Sequence, residues 1–210
     1  MGVDGFQRVP PPPPHLCQAM ISGCGGTRDW PDARGIFHNK EKTFLVWVNE
    51  EDQMRVISMQ AGGNVKEVFV RWVNGVNAVE QVVSAKGYTW MTDPHAGMLS
   101  SCVSNLGTGL RASMHIKLPN ILKTVGQEGL EKYAKTMRMA CRGTGGEHTA
   151  AGSDGKVDIS NNDRIGKSEV QLVQTMIDGV CKFIELEKKA AGGGSAAVKA
   201  EIESAIAASK

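Results

Sequence analysis

The sequence predicts an α+β fold in which a largely antiparallel sheet is flanked by helices, and three observations support that prediction. Short runs rich in β-branched and aromatic residues occur between residues 43 and 59 and again between 98 and 118. Segments with apolar residues at helical spacing occupy 64–84 and 168–189. Because strand runs and helices are not in strict alternation, a parallel βαβ arrangement is disfavoured.

The first strands are predicted at residues 43–48 and 55–59, where a tight polar link indicates a hairpin. The segment 64–84 that follows repeats apolar residues every three or four positions, which predicts an amphipathic helix. Its apolar face comprises Val65, Val68, Trp72, Val76, Val79 and Val83.

The middle of the chain is predicted to continue with a strand at 98–101 and another at 110–118. In the second strand Leu110, Ala112, Met114, Ile116 and Leu118 alternate with Arg111, Ser113, His115 and Lys117, so each set faces one side. A helix at 128–136 and a strand, glycine loop and strand ending at Ile159 follow.

The last helix opens with a capping-box signal formed by Ser168 and Gln171. Its predicted buried face is Val170, Val173, Ile177, Val180 and Ile184. After Lys189 a glycine-rich stretch predicts a linker, and the last fifteen residues predict a small mobile helix. The predicted organisation is a Pro/Gly-rich segment at 1–26, one domain at 27–189, and a linker with a tail helix at 190–210.

Composition narrows the classes of function. With 210 residues and a net charge of +2, the chain gives no reason to expect nucleic acid or an anionic membrane as a partner. No apolar run approaches the roughly 20 residues that span a bilayer. Five cysteines form an odd set without CxxC spacing, which disfavours a disulfide framework and a zinc site. We therefore expect a cytoplasmic protein.

The loop that begins at Arg142 is the most distinctive motif, with the sequence Arg-Gly-Thr-Gly-Gly-Glu-His-Thr. Glycines allow close backbone approach to a ligand, and an arginine fork suits phosphate. Glu147 could meet a cationic group on a second substrate. The alternative is an ordinary glycine-rich turn between two strands, which is the commoner meaning of such a run.

Two further motifs carry candidate chemistry. The acidic run Asn49-Glu50-Glu51-Asp52 is either a solvated turn or a cation partner, and Arg55 follows it. Cys102 stands at a strand end before small polar residues, where its thiol could be partly exposed and thiolate-forming; the alternative is a half-buried structural cysteine. Cys141 and Cys181 are predicted to be packing residues.

Arg55, Arg111 and Arg142 stand at three strand edges. If they converge, they suit a polyphosphate, because phosphoryl transfer depends mainly on positioning and charge neutralisation. The chain has no Walker A sequence, kinase-type glycine loop or dinucleotide fingerprint, so a nucleotide site must be of another kind.

Together these motifs resemble the ATP:guanidino phosphotransferases, the phosphagen kinases that include creatine kinase and arginine kinase. The matching segments lie at 27–35, 44–52, 102–112 and 115–119 and in the loop from Arg142, in family order. The resemblance implies a glutamine synthetase/guanidino kinase-like catalytic domain whose N-terminal part is missing.

The resemblance also implies reversible transfer of the γ-phosphoryl group of MgATP to a guanidino nitrogen. Glu51 would orient the guanidinium and act as base, Cys102 would lie beside it as thiolate, and Glu147 would contact the substrate. Magnesium would be held by phosphates and waters rather than by the protein. The implied ATP/ADP-binding residues are Arg55, Arg111, Ala112, Ser113, Met114, His115, Arg142, Gly143, Thr144, Gly145, Gly146, Glu147 and Asp158.

The chain departs from the family at three points. It has no Ser-x-Arg-x-Arg motif, it lacks the expected N-terminal helical domain, and Val103 replaces a usual proline. A truncated, catalytically silent nucleotide-binding fragment is therefore the alternative function. The glycine loop up to Gly146 and the later Thr-Ala-Ala resemble creatine kinases, whereas the segment from Gly146 to Thr149 resembles arginine kinases. Because Glu147 can pair with a guanidinium, arginine is the favoured substrate and creatine the next, with taurocyamine and similar guanidines as open alternatives. The chain is expected to be a monomer or a dimer.

Overall fold

The computed structural model describes residues 5–7 (backbone only), 28–30, 32–49, 52–144, 151–152 and 154–209. The chain divides into two compact units, Met1–Leu106 and Gly107–Lys210. Every strand pairing in the described residues is antiparallel, and helices accompany the sheets, so the predicted α+β class is confirmed. No helix in the described part of the chain combines the length and apolarity needed to cross a membrane.

The first unit contains a four-stranded sheet in the order β1-β2-β3-β4. Its strands are β1 (Gly5–Gln7), β2 (Gly35–His38), β3 (Phe44–Val48) and β4 (Met54–Ser58). Strands β3 and β4 form the predicted hairpin, with Val46 opposite Val56.

Helix α1 (Val65–Ala85) follows the sheet and confirms the helix that was predicted over residues 64–84. Asn64 caps it, because its side chain accepts the Glu67 N–H. The Trp72 indole N–H donates to the Val56 carbonyl at 3.2 Å and so ties the helix to β4. Gly75 is its one buried residue, since an added Cβ would lie 2.3 Å from the Phe44 ring.

The predicted strand at 98–101 is wrong beyond Met98. The unit instead continues with a small hairpin of β5 (Thr92–Asp93) and β6 (Gly97–Met98), followed by a 3₁₀ turn at Val103–Asn105. The Ser100 hydroxyl donates to the Cys102 carbonyl at 2.9 Å. Such a local bond competes with a sheet ladder and favours a turn.

The second unit is built on a three-stranded sheet in the order β7-β9-β8. Its strands are β7 (Ser113–Lys117), β8 (Met139–Arg142) and β9 (Lys156–Asn161). The predicted alternation along β7 is confirmed, with Ser113, His115 and Lys117 exposed.

Strand β7 is shorter than the predicted 110–118 because the side chain of Asn161 intervenes before it. The Asn161 amide oxygen accepts the Ala112 N–H at 2.7 Å, and its NH₂ donates to the Leu110 carbonyl at 3.1 Å. Side-chain bonds therefore hold residues 110–112 beside the sheet.

Helix α2 (Pro119–Thr136) begins nine residues earlier than predicted. Proline is tolerated in a first turn, and the bend at Gly126, with φ of 71°, interrupts the apolar periodicity. The carboxylate of Glu187 accepts the Asn120 and Ile121 N–H groups, both at 3.0 Å. A cap supplied from so far along the chain leaves no local sequence signal.

Helix α3 (Glu169–Lys189) has the predicted Ser168–Gln171 capping box. The predicted buried face is wrong at three of its five positions, since Val170 and Ile184 are 65% and 37% exposed and Ile177 is only half-buried. Gly179 explains the difference, because an added Cβ would lie 1.8 Å from the sulfur of Met139, and this side of the helix therefore faces the sheet. The buried residues are Leu172, Val173, Met176, Gly179, Val180, Phe183 and Leu186.

The predicted tail helix is confirmed, but it is packed rather than mobile, and the predicted linker is a helical turn. Ala190–Gly194 form a π-helical turn, and α4 (Ser195–Ala208) follows. Val198 and Ile202 are fully buried. The Glu201 carboxylate accepts hydrogen bonds from Lys182 and Lys189 of α3, at 3.1 and 2.9 Å, which fastens α4 to that helix.

Candidate functional site

The strand register of the second unit brings three predicted site residues together. Asp158 on the central strand lies opposite His115 of β7 and opposite Arg142 of β8. Directly opposed residues in antiparallel strands share one face of a sheet. The same face carries Ser113 and Ser160, which also pair. We call this surface the polar sheet face.

Asp158 is the centre of the polar sheet face. The Arg111 Nη2 donates to its Oδ2 at 2.6 Å, and the His115 Nε2 lies 3.9 Å from the same oxygen. Asp158 is buried, whereas Arg111 is one third exposed. Arg111 also donates to the Ser113 hydroxyl at 3.4 Å. A buried carboxylate thus orients a guanidinium that still reaches solvent.

Arg164 joins this cluster, although the sequence analysis missed it. Its Nη1 donates to the carbonyls of Asn161 and Asp163 at 2.9 and 3.0 Å. Burial, and then the positive charges of Arg111 and Arg142, lower the pKa of Arg164. Its position just beyond β9, the strand that carries Asp158, was the signal available in the sequence.

Several buried polar atoms of this cluster make no hydrogen bond to other described residues. They are Asp158 Oδ1, Ser160 Oγ and Arg164 Nε. Since nearly all buried polar groups in native proteins are hydrogen-bonded to protein or to ordered water, these atoms mark the polar sheet face as a candidate binding site. The described residues contain no group of three or more His, Cys, Asp or Glu side chains that could hold a metal ion.

A second cluster lies in the first unit, around Cys102. Cys102 precedes the 3₁₀ turn, and its sulfur lies 3.0 Å from the Ser104 hydroxyl oxygen. The residue is 9% exposed, so the expectation of a partly exposed thiol is wrong. The turn folds back over the cysteine, because the Asn105 N–H donates to the Cys102 carbonyl.

Asp52 holds this cluster together and was also missed as a site residue. Its carboxylate accepts the Cys102 N–H at 3.3 Å, the Asn105 side-chain amide at 2.8 Å and the Arg55 Nε at 3.3 Å. It is buried despite its charge. The sequence offered one signal, an arginine three residues after the acidic run.

The remaining predicted site residues are divided between the units or lie outside the described residues. Arg55 and Cys102 belong to the first unit, and the strand residues from Arg111 onward belong to the second. Gly143 is buried and Thr144 exposed just after β8. Ala112 and Met114 are half-buried. The positions outside the described residues are Glu51, Gly145, Gly146 and Glu147.

The other two described cysteines differ from each other. Burial, with smaller contributions from Glu131 and Asp158, raises the pKa of Cys141 to about 12, consistent with its predicted packing role. Cys181 is exposed, so a packing role for it is wrong.

Comparison with known proteins identifies the family of the chain. Residues 16–190 match the model of a protein family described as "ATP:guanido phosphotransferase, C-terminal catalytic domain". Creatine kinase B-type of Gallus gallus is 53% identical over 176 residues, which are 84% of this chain and 45% of that protein. The flagellar creatine kinase of Strongylocentrotus purpuratus is 52% identical over 185 residues, 88% of this chain and 15% of that protein. The chain thus spans less than half the length of these curated relatives.

Solved structures agree with the sequence match. A crystal structure of lombricine kinase is similar with a TM-score of 0.75 and 43% identity, over 90% of this chain and 55% of that one. The duplicated taurocyamine kinase from Schistosoma mansoni, with bound transition state analog components, has a TM-score of 0.68 and 40% identity over 80% of this chain and 22% of that one. By sequence and by fold, the chain belongs to the ATP:guanidino phosphotransferase family, whose C-terminal catalytic domain it matches.

Proposed function

We propose that the chain contributes to the reversible transfer of the γ-phosphoryl group of MgATP to a guanidino nitrogen. The observation that carries this proposal is the polar sheet face. There the buried Asp158 accepts a hydrogen bond from Arg111 and lies opposite Arg142 in the strand register, and Arg164 follows the same strand, in a chain of this family. Pre-placed guanidinium groups match the charge that spreads over a transferred phosphoryl group.

The residues of the polar sheet face divide into two roles. Arg111 and Arg142 hold phosphate oxygens, and Asp158 keeps the Arg111 fork oriented through the 2.6 Å contact. The exposed side chains of Ser113 and His115 lie along the adenosine, and Ala112 and Met114, whose side chains point to the other side of the strand, contribute backbone atoms there. Gly143 and Thr144 begin the loop, continued by Gly145 and Gly146, that we assign to the phosphates. Mg²⁺, held by phosphates and waters, neutralises charge on the phosphates.

The guanidino side of the reaction is assigned to the first unit and to the glycine loop. Glu51 orients the guanidinium and accepts its proton, because a guanidinium is a poor nucleophile until it is aligned and deprotonated. Cys102 lies beside the guanidino group, and Arg55 contributes to the phosphate clamp. Glu147 contacts the substrate and favours arginine, with creatine next. The names of the relatives keep creatine, lombricine and taurocyamine as further candidates.

A catalytically silent, nucleotide-binding chain is the second candidate. The absence of a Ser-x-Arg-x-Arg motif from the 210 residues favours it. Each missing phosphate contact removes a charge-assisted hydrogen bond from the transition state. We also propose that the protein is cytoplasmic, because its odd number of cysteines without CxxC spacing does not suggest a disulfide framework. We propose a monomer or a dimer as its assembly, and light scattering of the purified chain would measure which one forms.

The two functions are separated by one experiment on the 210-residue chain. Nucleotide binding is measured by calorimetry with MgATP and MgADP, and phosphoryl transfer by a coupled assay with arginine, creatine, lombricine and taurocyamine. Transfer to any guanidine, reduced by orders of magnitude in Glu51→Gln with ATP affinity kept, supports the kinase. Binding without transfer supports the silent chain, and neither binding nor transfer contradicts both.

A further inference from the structure

We propose that Asp52 is a positioning residue that fastens the turn bearing Cys102 to the hairpin mouth bearing Arg55. The inference rests on the proposed function only for the roles of Cys102 and Arg55. The fastening itself follows from hydrogen bonds within the first unit.

Both oxygens of Asp52 are used, and each joins a different part of the unit. Oδ1 accepts the backbone N–H of Cys102 at 3.3 Å. Oδ2 accepts the Asn105 side-chain amide at 2.8 Å and the Arg55 Nε at 3.3 Å. Cys102 and Asn105 flank the 3₁₀ turn at its start and end, so one carboxylate holds both ends of the turn.

Asp52 is buried, so the loss of any of these hydrogen bonds would leave a charged group with one partner fewer. It is 7% exposed, so water cannot readily replace a lost partner. A buried carboxylate is stable only when its oxygens are satisfied, and hydrogen bonds to a charged group are stronger than those between neutral groups. The turn, in contrast, has little apolar anchorage, because Val103, its first residue, is 80% exposed. Polar fastening therefore sets where the Cys102 thiol lies.

Asp52→Asn is the informative variant, because it keeps the shape and replaces an acceptor with a donor. The amide keeps one oxygen, so in one orientation its NH₂ faces the Asn105 and Arg55 donors and in the other it faces the Cys102 N–H, and either way the turn loses part of its fastening. We expect the loosened turn to expose the buried thiol and to raise its iodoacetamide labelling rate about tenfold, the factor that corresponds to losing one charged hydrogen bond.

Labelling is followed cysteine by cysteine by peptide mass spectrometry on the full chain. The exposed Cys181 is the internal reference for reagent activity. Asp93→Asn is the matched control, because Asp93 accepts the His95 and Ala96 N–H groups in another turn of the same unit. All four tryptophans lie in the first unit, so their fluorescence during heating reports whether that unit stays folded.

The exchange variant Asp52→Asn with Asn105→Asp distinguishes positioning from general damage. It restores a donor–acceptor pair between the two positions and the net charge, so we expect Cys102 labelling to return to within about twofold of the parent rate. Asn105→Asp alone, with two facing carboxylates, should label as fast as Asp52→Asn. Fast labelling of the exchange variant, or an unchanged rate in Asp52→Asn with an intact fluorescence transition, would overturn the proposal.

This readout needs no turnover, so it stands if the chain proves catalytically silent. Where transfer is detected, Asp52→Asn should lower kcat, because Cys102 moves, and should raise the KM for MgATP by a smaller factor, because among the described residues Arg55 is the one member of the proposed phosphate clamp that contacts Asp52. A change confined to KM would also contradict the positioning role.

Discussion

The two units of this chain differ in how many large apolar side chains they bury. All the large side chains that are fully buried among the described residues belong to the second unit, including Leu118, Ile159 and Phe183. In the first unit α1 buries only Gly75 and leaves Val70 and Val82 about half exposed. Hydrophobic stabilisation scales with apolar area removed from water. The second unit therefore has a core of its own, and the first relies more on its sheet and on polar contacts such as those of Asp52.

The largest expected effect tests that core directly. Phe183→Ala removes a fully buried ring that meets Tyr133 edge-on at 5.6 Å, and it should cost about 3–5 kcal/mol in the free energy of unfolding. Urea titration followed by circular dichroism measures the loss. Val82→Ala in the first unit is the control and should change stability by less than about 0.5 kcal/mol, because its side chain is 59% exposed. Equal losses would break the contrast between the units.

A second prediction concerns where nucleotide affinity resides. Arg111→Gln removes the guanidinium held by Asp158, and it should weaken MgADP binding at least tenfold, from the loss of about 1.5–3 kcal/mol of charge-assisted hydrogen bonding. Calorimetry measures this. Lys132→Gln is a control with the same change in charge, at an exposed pair with Glu128, and its affinity should stay within about twofold of the parent. If both variants weaken binding equally, net charge rather than the polar sheet face governs affinity.

The N-terminal caps of α1 and α3 allow the two units to be compared directly, with a smaller expected effect on stability. Asn64→Ala and Ser168→Ala each remove a side chain that accepts an N–H of the first helical turn, and each should cost about 1 kcal/mol. Hydrogen exchange should rise along the start of α1 in the first variant. The start of α3 should change less, because Leu172 and Val173 are buried there. Fraying of α3 as extensive as that of α1 would show that burial does not anchor it.

The smallest effect concerns the attachment of α4. Hydrogen bonds from Lys189 and Lys182 lower the pKa of Glu201, so its contribution is complete above the ordinary value of 4.5 and is lost as the pH falls through the lowered pKa. The bond to Glu201 raises the pKa of Lys182, so that contribution is complete below 10.5 and lost at higher pH. Glu201→Gln should therefore cost about 0.5 kcal/mol at pH 7, because the pairs are partly exposed.

Stability of the Glu201→Gln variant and its parent is compared by urea titration at pH 3 and pH 7. The difference at pH 7 should be smaller at pH 3, which is below the ordinary pKa of 4.5, and it should also shrink in high salt. Glu203→Gln is the control, because Glu203 pairs only weakly with Lys199 on its own helix, at 3.9 Å. A pH-independent difference would mean that packing of α4, rather than these ion pairs, is what the substitution disturbs.

The parts of the fold that were predictable from sequence are those with local causes. The β3–β4 hairpin, α1, the alternation along β7 and the capping box at Ser168 each depend on neighbours within a few residues. The family resemblance was also legible, because its motifs are long and in order.

The parts that were missed depend on distant residues. The first half of α2 is capped by Glu187, and the buried side of α3 is decided by the contact of Gly179 with Met139. The same holds for the site. Asp52 accepts a hydrogen bond from Cys102, and Arg164 interacts electrostatically with Arg111, and in each pair the two residues are about fifty positions apart in sequence. Apolar periodicity carries no information about such partners.

The crowding of Arg111, Arg142 and Arg164 has a consequence for how the chain behaves without ligand. Like charges held together repel, and after burial, which is the larger cause, the positive charges of Arg111 and Arg142 help to lower the pKa of Arg164. Without a bound polyanion, the repulsion between these guanidinium groups therefore lowers the stability of the second unit. Stability is thus reduced by an arrangement that suits ligand binding. Bound polyphosphate relieves that repulsion, and linkage converts the relief into resistance to heat. The second unit should thus melt at a higher temperature with ADP or tripolyphosphate than in a chloride buffer of equal ionic strength.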